Sequence, residues 1–359
     1  MKNLMKLCIF LIIVFVLLII LGKLLTPRDK VNNGEGILYT MKGFYEIEDN
    51  TIDAMFIGSS SVYRTVSPMI LWEKYGITSY DYGIPSARIF MNYYFIKDVM
   101  RSQTPKVIFA DVTTAYYPLR EDEPARRKSF DYMEFSNVKF EMINDDIFDY
   151  DLDFIDKVSL VFPVLRYKER RTRPNIYYFT DNYHSISKGY IYDDRHRPNK
   201  KNFNYMKNKT KKLKMTPDNE EYMIKAINYC KENNIDLVLT AYPNAVSWSK
   251  NASESMKEFA DEHGVKFLEL NTQLSGLDWN NDTGDEGVHT NLIGAYKTTM
   301  YVGKFLEDNY NFKSHRNDPK YSIWNDDLKV YKKIEEKVIK KIEHKIKNNI
   351  IDSKKEEAV

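Results

Sequence analysis

Apolar positions fall into three kinds of pattern along this chain. The first is a continuous run. Leu7 to Gly22 carries no charge, and Lys6 and Lys23 bracket it. Taken from Leu4 to Leu25, it gives a helix of about 33 Å at 1.5 Å per residue, enough to cross a bilayer core. No Ala precedes Ala54 and no small-residue cleavage site follows the run, so an uncleaved anchor is expected over a cleaved signal peptide. Residues 28–50 read as a polar stalk after an anchor spanning 1–27, with Asn32, Asn33, Gly34 and Gly36 in the first part.

The second pattern alternates short apolar runs with helical periodicity. Ala54–Ile57, Thr78–Tyr82, Lys106–Asp111, Asp236–Tyr242 and Val265–Leu270 read as five buried strands. Helices are predicted at Ser67–Tyr75, Ser86–Met100, Asp218–Glu232, Ser249–His263 and Asn291–Asp308, the first entered through Ser67 and Pro68. This order predicts an α/β fold, a doubly wound parallel sheet of about five strands, over 51–316. Chemistry in such sheets gathers at the carboxyl ends of the strands. Residues from about 114 to 215 break the alternation and read as a helical and loop insertion over that face.

The third pattern is a charged helix at Asp326–Lys347, within a tail of 317–359. Leu328, Tyr331, Ile334, Val338, Ile342 and Ile346 recur at spacings of three and four. Core packing or a coiled-coil contact explains them, as does a membrane-surface or partner helix. Residues after Asp352 read as disordered.

Composition narrows the function. The 359 residues carry 53 Lys and Arg against 51 Asp and Glu, a net charge of +2, which argues against a nucleic-acid binder. Apolar residues at 43% support a sizeable core. Two cysteines, Cys8 and Cys230, exclude a disulfide scaffold and a cysteine-based zinc site. The histidines show no mutual metal-ligand spacing, so no metal and no cofactor are assigned. From Arg195 to Lys214 there are nine basic residues and no acid. This run reads as a solvated loop or as a patch for an anionic polymer or headgroups. Arg166, Arg170, Arg171 and Arg173 invite the same two readings.

Three segments could carry chemistry. In FIGSSSVYRTVSP, Phe56 to Pro68, a serine follows the first strand at a glycine turn, where the amides of a following helix could stabilise an oxyanion. In SYDYGIPSARIF, Ser79 to Phe90, Gly83 would let a backbone amide approach a substrate oxygen. In DWNNDTGDEGVHTNLIGAY, Asp278 to Tyr296, His289 follows an acid-rich loop. A general base needs a carboxylate to orient it and a nucleophile within reach. Each segment alone has a plainer reading, as a turn, a strand-to-helix connection or a surface histidine.

Together, Gly58-Ser59-Ser60, Gly83 and the stretch Asp285 to Asn291 resemble the SGNH (GDSL-like) hydrolase superfamily. His289-Thr290-Asn291 with Gly294-Ala295 resembles the ending of its membrane-anchored branch, which includes relatives of DltD and the alginate O-acetylation proteins. The resemblance covers about 50–118 and 217–316. It implies Ser60 as nucleophile, His289 as general base and an aspartate before it as orienter. Asp285, Glu286 and Asp282 are the choices, and Asp285 is favoured if Glu286-Gly287-Val288 form a one-residue bulge. Oxyanion donors would be the amides of Ser60 and Gly83. The family's asparagine after the third strand is absent, and Thr113 stands near its place as a substitute donor. Asp111 is expected to hold the Ser60 loop.

The resemblance implies a single-pass enzyme of the cell membrane, with its soluble domain outside the cytoplasm. It would be a serine acyltransferase or esterase acting on O-acyl groups of a cell-envelope polysaccharide or teichoic-acid-like polymer. Its expected partners are that polymer, a membrane-bound O-acyltransferase and the lipid bilayer through residues 4–25, with no nucleic acid. The alternative is a non-catalytic scaffold of the same fold supporting the acyltransferase.

Overall fold

A computed structural model describes residues 2–27, 36–117, 123–149, 152–176, 179, 183–199, 205–207, 212–273 and 276–356. The chain divides into two compact units: Met1–Lys30 with Asp122–Tyr183, and Val31–Glu121 with His184–Val359.

The larger unit is α/β, built on a five-stranded, all-parallel sheet. In chain order it contains α2 (Ile37–Phe44), β1 (Ala54–Gly58), α3 (Ser60–Tyr63), α4 (Pro68–Tyr75), β2 (Ser79–Gly83), α5 (Ile89–Val99) and β3 (Val107–Asp111). The strands run in the order β2-β1-β3, and the sheet continues through β4 (Asp236–Ala241) to β5 (Lys266–Glu269). Successive side chains of a strand point to opposite faces. Ala54, Phe56, Val107, Phe109 and Val238 therefore share one face. There they pack with Leu71 of α4 and with Val302 and Leu306 of the helix Leu292–Asn309. Helix α5 packs along β1 and β3, and the helix Pro217–Glu232 packs along β4 and α5. Every residue of β1, β2 and β3 is buried, as expected of a parallel sheet covered on both faces. The strand order reverses between β1 and β3, the crevice where doubly wound sheets bind ligands.

The strands and principal helices stand within a few residues of their predicted positions. Three expectations need correction. Residues 37–44 are not stalk. They form α2, which buries Leu38, Tyr39, Met41 and Phe44 and packs on β2; the rest of the expected stalk from 28 to 35 lies outside the described residues. The insertion is not one element. Its stretch from 122 to 183 belongs to the other unit, while 184–199 folds with the sheet. The C-terminal helix is longer than the expected 326–347 and runs Ser322–Glu356, through positions read as disordered.

That helix belongs to the sheet unit. Tyr331 is fully buried and its hydroxyl meets Ser67 Oγ at 2.8 Å. Trp324 packs on Trp72, with ring centroids 5.3 Å apart. Its apolar stripe is therefore core packing along at least Trp324 to Ile342, where Val338 and Ile342 are also fully buried.

The smaller unit is helical. It contains α1 (Lys2–Leu25), then α6 (Glu123–Tyr132), α7 (Asn137–Ile143), α8 (Asp146–Asp149), α9 (Phe154–Val161) and α10 (Pro163–Tyr167). Helix α1 is long and apolar enough to cross a membrane.

Candidate active site

Ser59 closes the turn that follows β1 and caps α3, its Oγ accepting from Ser61 N at 3.2 Å. The same hydroxyl donates to Asp111 Oδ2 at 2.5 Å, and Ser59 N donates to that oxygen at 3.2 Å. Asp111 thus ties the end of β3 to the turn after β1. Gly58 makes the approach feasible, since a Cβ there would lie 2.3 Å from Asp111 Cβ. Gly83 pairs with Gly58 at the carboxyl ends of β2 and β1, and a Cβ on it would sit 2.2 Å from Gly58 O. Ser60 opens α3, where backbone amides lack intrahelical partners.

His289 reaches this point from the other end of the chain. Its loop is fixed from both sides. Thr283 and Thr290 form an antiparallel bridge, and Thr283 Oγ1 donates to His289 O at 2.9 Å. Thr290 Oγ1 donates to Arg64 O at 2.9 Å, pinning the loop to the residue that ends α3. Asn291 caps the next helix, accepting from Ile293 N and Gly294 N.

The result is a hydrogen-bonded relay. Ser60 Oγ lies 2.7 Å from His289 Nε2, and His289 Nδ1 lies 2.7 Å from Asp285 Oδ2. An ionised carboxylate only accepts, so Nδ1 carries the proton toward Asp285 and Nε2 is left to accept from the serine hydroxyl. Asp285 Oδ1 also accepts from His289 N at 2.8 Å, which fixes the carboxylate plane.

Of the three candidate orienters, Asp285 holds the imidazole. The one-residue excess in spacing is absorbed at Glu286 and Gly287, with φ of 63° and 94°, and Val288 N folds back to Asp285 O at 3.4 Å. Glu286 is exposed. Asp282 is fully buried but serves elsewhere, accepting from Asp278 N and Lys297 Nζ, each at 2.6 Å.

Thr113 does not stand as a free donor. Its N–H donates to Asp111 Oδ1 at 2.8 Å and its hydroxyl to the same oxygen. The residue is 3% exposed, so its substitution for the missing asparagine has no support in this geometry.

Two residues of the site were not singled out in the sequence. Arg195 Nη2 donates to Asp285 Oδ2 at 2.9 Å, and its Nε and Nη2 grip Asp193 at 2.9 and 2.5 Å. Asp193 also accepts from Arg64 Nη1 at 2.6 Å. The first residue of the basic run is therefore ion-paired inside the site, not part of a solvated patch. Much of the remaining run, 200–204 and 208–211, lies outside the described residues. Burial alone would raise the Asp285 carboxyl; the hydrogen bond and charge of His289, its backbone N–H and the Arg195 guanidinium outweigh this and hold it at about 2.

Other histidines are engaged in packing. His184 Nε2 meets Asp327 at 2.8 Å and His196 Nε2 meets Asn280 O at 2.8 Å. Among the described residues, no group of three or more His, Cys, Asp or Glu could hold a metal ion.

No family model matches this chain, and no curated protein matches it. The functional reading therefore rests on the chain's own residues.

Proposed function

We propose that the protein is a membrane-anchored serine acyltransferase or esterase acting on O-acyl groups of a cell-envelope polysaccharide or teichoic-acid-like polymer. The observation that carries the chemistry is the Ser60–His289–Asp285 relay, with both links at 2.7 Å. The motif resemblance to the membrane-anchored SGNH branch supplies the substrate class and the expectation of a membrane-bound O-acyltransferase as partner. An N-terminal helix long enough to span a bilayer agrees with that branch.

In this reading His289 Nε2 takes the Ser60 proton as Oγ attacks the acyl carbonyl. The backbone amides of Ser60 and Gly83 are the oxyanion donors that the resemblance implies. His289 then returns the proton to the departing alkoxide, leaving an acyl-serine. A sugar or polyol hydroxyl, or water, attacks the acyl-serine with His289 again as base. Asp285 stabilises the imidazolium throughout.

The rival reading is a scaffold without turnover. It draws on one observation: Thr113 points both its donors at Asp111, so no third oxyanion donor is contributed from the end of β3. A changed level of polymer acylation in cells carrying Ser60→Ala, lower for a transferase and higher for an esterase, with the protein still folded and in place, supports the enzyme. Unchanged acylation supports the scaffold.

A further inference from the structure

The smaller unit places a bend of the chain against the anchor helix. The ring of Phe162, between α9 and α10, meets Phe15 edge-on, with centroids 5.7 Å apart. Pro163 packs on Gly22 so closely that a Cβ there would lie 3.2 Å from Pro163 Cδ. The chain then reaches the end of α1. Arg170 Nε donates to Leu25 O at 3.1 Å, and Asn175 N donates to Leu24 O at 2.5 Å.

Length decides where this bend lies. Phe15 is ten residues before Leu25, about 15 Å along the helix. If the bend kept residues 15–25 out of the bilayer, only Lys2–Val14 would remain, about 20 Å against a hydrocarbon core of about 30 Å. Nor does the bend cover α1 at this level, since Val16, Leu17, Ile20 and Leu21 are still 40–50% exposed. Lipid must cover them, and the bend shares their depth. Its own surface suits that place. Leu165 is exposed on α10, and at the start of α9 Phe154 and Ile155 are 77% and 61% exposed. Helix α9 is eight residues, so its start lies within about 12 Å of the bend. Asp153, Asp156 and Lys157 flank those apolar side chains, and Arg166 and Arg171 stand on the other arm; charges so placed suit the boundary between headgroups and acyl chains.

We propose that the α9–α10 elbow is a second membrane-inserted element, entering the leaflet that holds the C-terminal half of α1 and touching acyl chains through Leu165 and Ile155. The proposal rests on the reading of α1 as a bilayer anchor. It gives the 122–183 stretch a lipid-facing role that the resemblance does not supply.

The test uses the full chain with Cys8→Ser, the buried Cys230 left in place, in vesicles of phosphatidylcholine and phosphatidylglycerol. Single cysteines replace Leu165, Ile155, Ile13 in the anchor and the exposed Val246 of the sheet unit. Each carries a spin label whose collisions with oxygen and with a water-soluble nickel chelate are compared. Leu165→Cys and Ile155→Cys are expected to favour oxygen, with the same sign as Ile13→Cys and opposite to Val246→Cys. If they follow Val246→Cys while Ile13→Cys stays in lipid, the elbow is not inserted and the anchor stands. Labels shielded from both reagents mean protein contact and also overturn the proposal. If Ile13→Cys follows Val246→Cys, the anchor reading falls and the elbow with it.

Discussion

Arg195 and His289 share one oxygen atom: Asp285 Oδ2 accepts from Arg195 Nη2 at 2.9 Å and from His289 Nδ1 at 2.7 Å. The guanidinium helps to fix the carboxylate against the imidazole. Replacing Arg195 with Met removes one of the donors that hold it, and kcat on an activated acyl ester is expected to fall about tenfold with KM little changed. A kcat equal to that of the wild type would leave Arg195 no part in positioning the relay.

Asp285→Asn keeps the shape but reverses the preferred tautomer, since a carboxamide can donate toward Nδ1. The expected loss in kcat is about 10⁴-fold, with substrate binding little changed. Stopped turnover assays on an activated acyl ester measure it.

The same residue sets a pH dependence of stability. The Asp285 carboxyl is held at about 2 in the folded protein, below its ordinary 3.8. Its contribution is therefore present above about pH 4 and lost as pH falls toward 2. It amounts to about 2 kcal/mol at neutral pH. Urea titrations of wild type and Asp285→Asn should differ by that order at pH 7 and converge toward pH 2.

Asp81 has the opposite sign. It is fully buried in β2, and neither carboxylate oxygen has a partner among the described residues. Burial pushes its pKa well up. The folded state keeps the proton after the unfolded chain has released it, so stability falls as pH rises above the ordinary carboxylate range. Asp81→Asn should remove that fall and raise the Tm above neutral pH, while leaving it nearly unchanged at pH 4. A Tm difference independent of pH would contradict this.

The framework of the fold was legible because its central strands, β1, β3 and β4, are buried on both faces. Each therefore reads as a short apolar run closed by a turn, as at Phe56–Ile57 before Gly58 and at Val107–Ala110 before Asp111. Ser60, His289 and Asp285 were legible from local motifs, and the Glu286-Gly287 turn accounts for their unusual spacing. Arg195 was not legible. It stands between the acids Asp193 and Asp194 and a basic run, which offers only local pairing, and only the folded chain brings Asp285 to it from 90 residues away. Helix α2 was missed because its flanks are polar and its partner, β2, lies across a long separation. Thr113 was misread because its own neighbour, Asp111, competes for both of its donors.

Thr113→Val tests that correction. Removing a hydroxyl committed to Asp111 should cost about 1 kcal/mol of stability and change the rate only a few-fold. A fall of about 10²–10³ in kcat would instead place the hydroxyl on the oxyanion.

The most direct measurement of an activated serine is reaction with a fluorophosphonate probe, read by mass spectrometry of the labelled peptide. The probe is expected to modify Ser60 in the wild-type chain, with labelling lost in Ser60→Ala and strongly slowed in His289→Ala. An unlabelled Ser60 in the folded wild-type protein, or labelling that persists at the same rate in His289→Ala, would contradict the relay as a catalytic device.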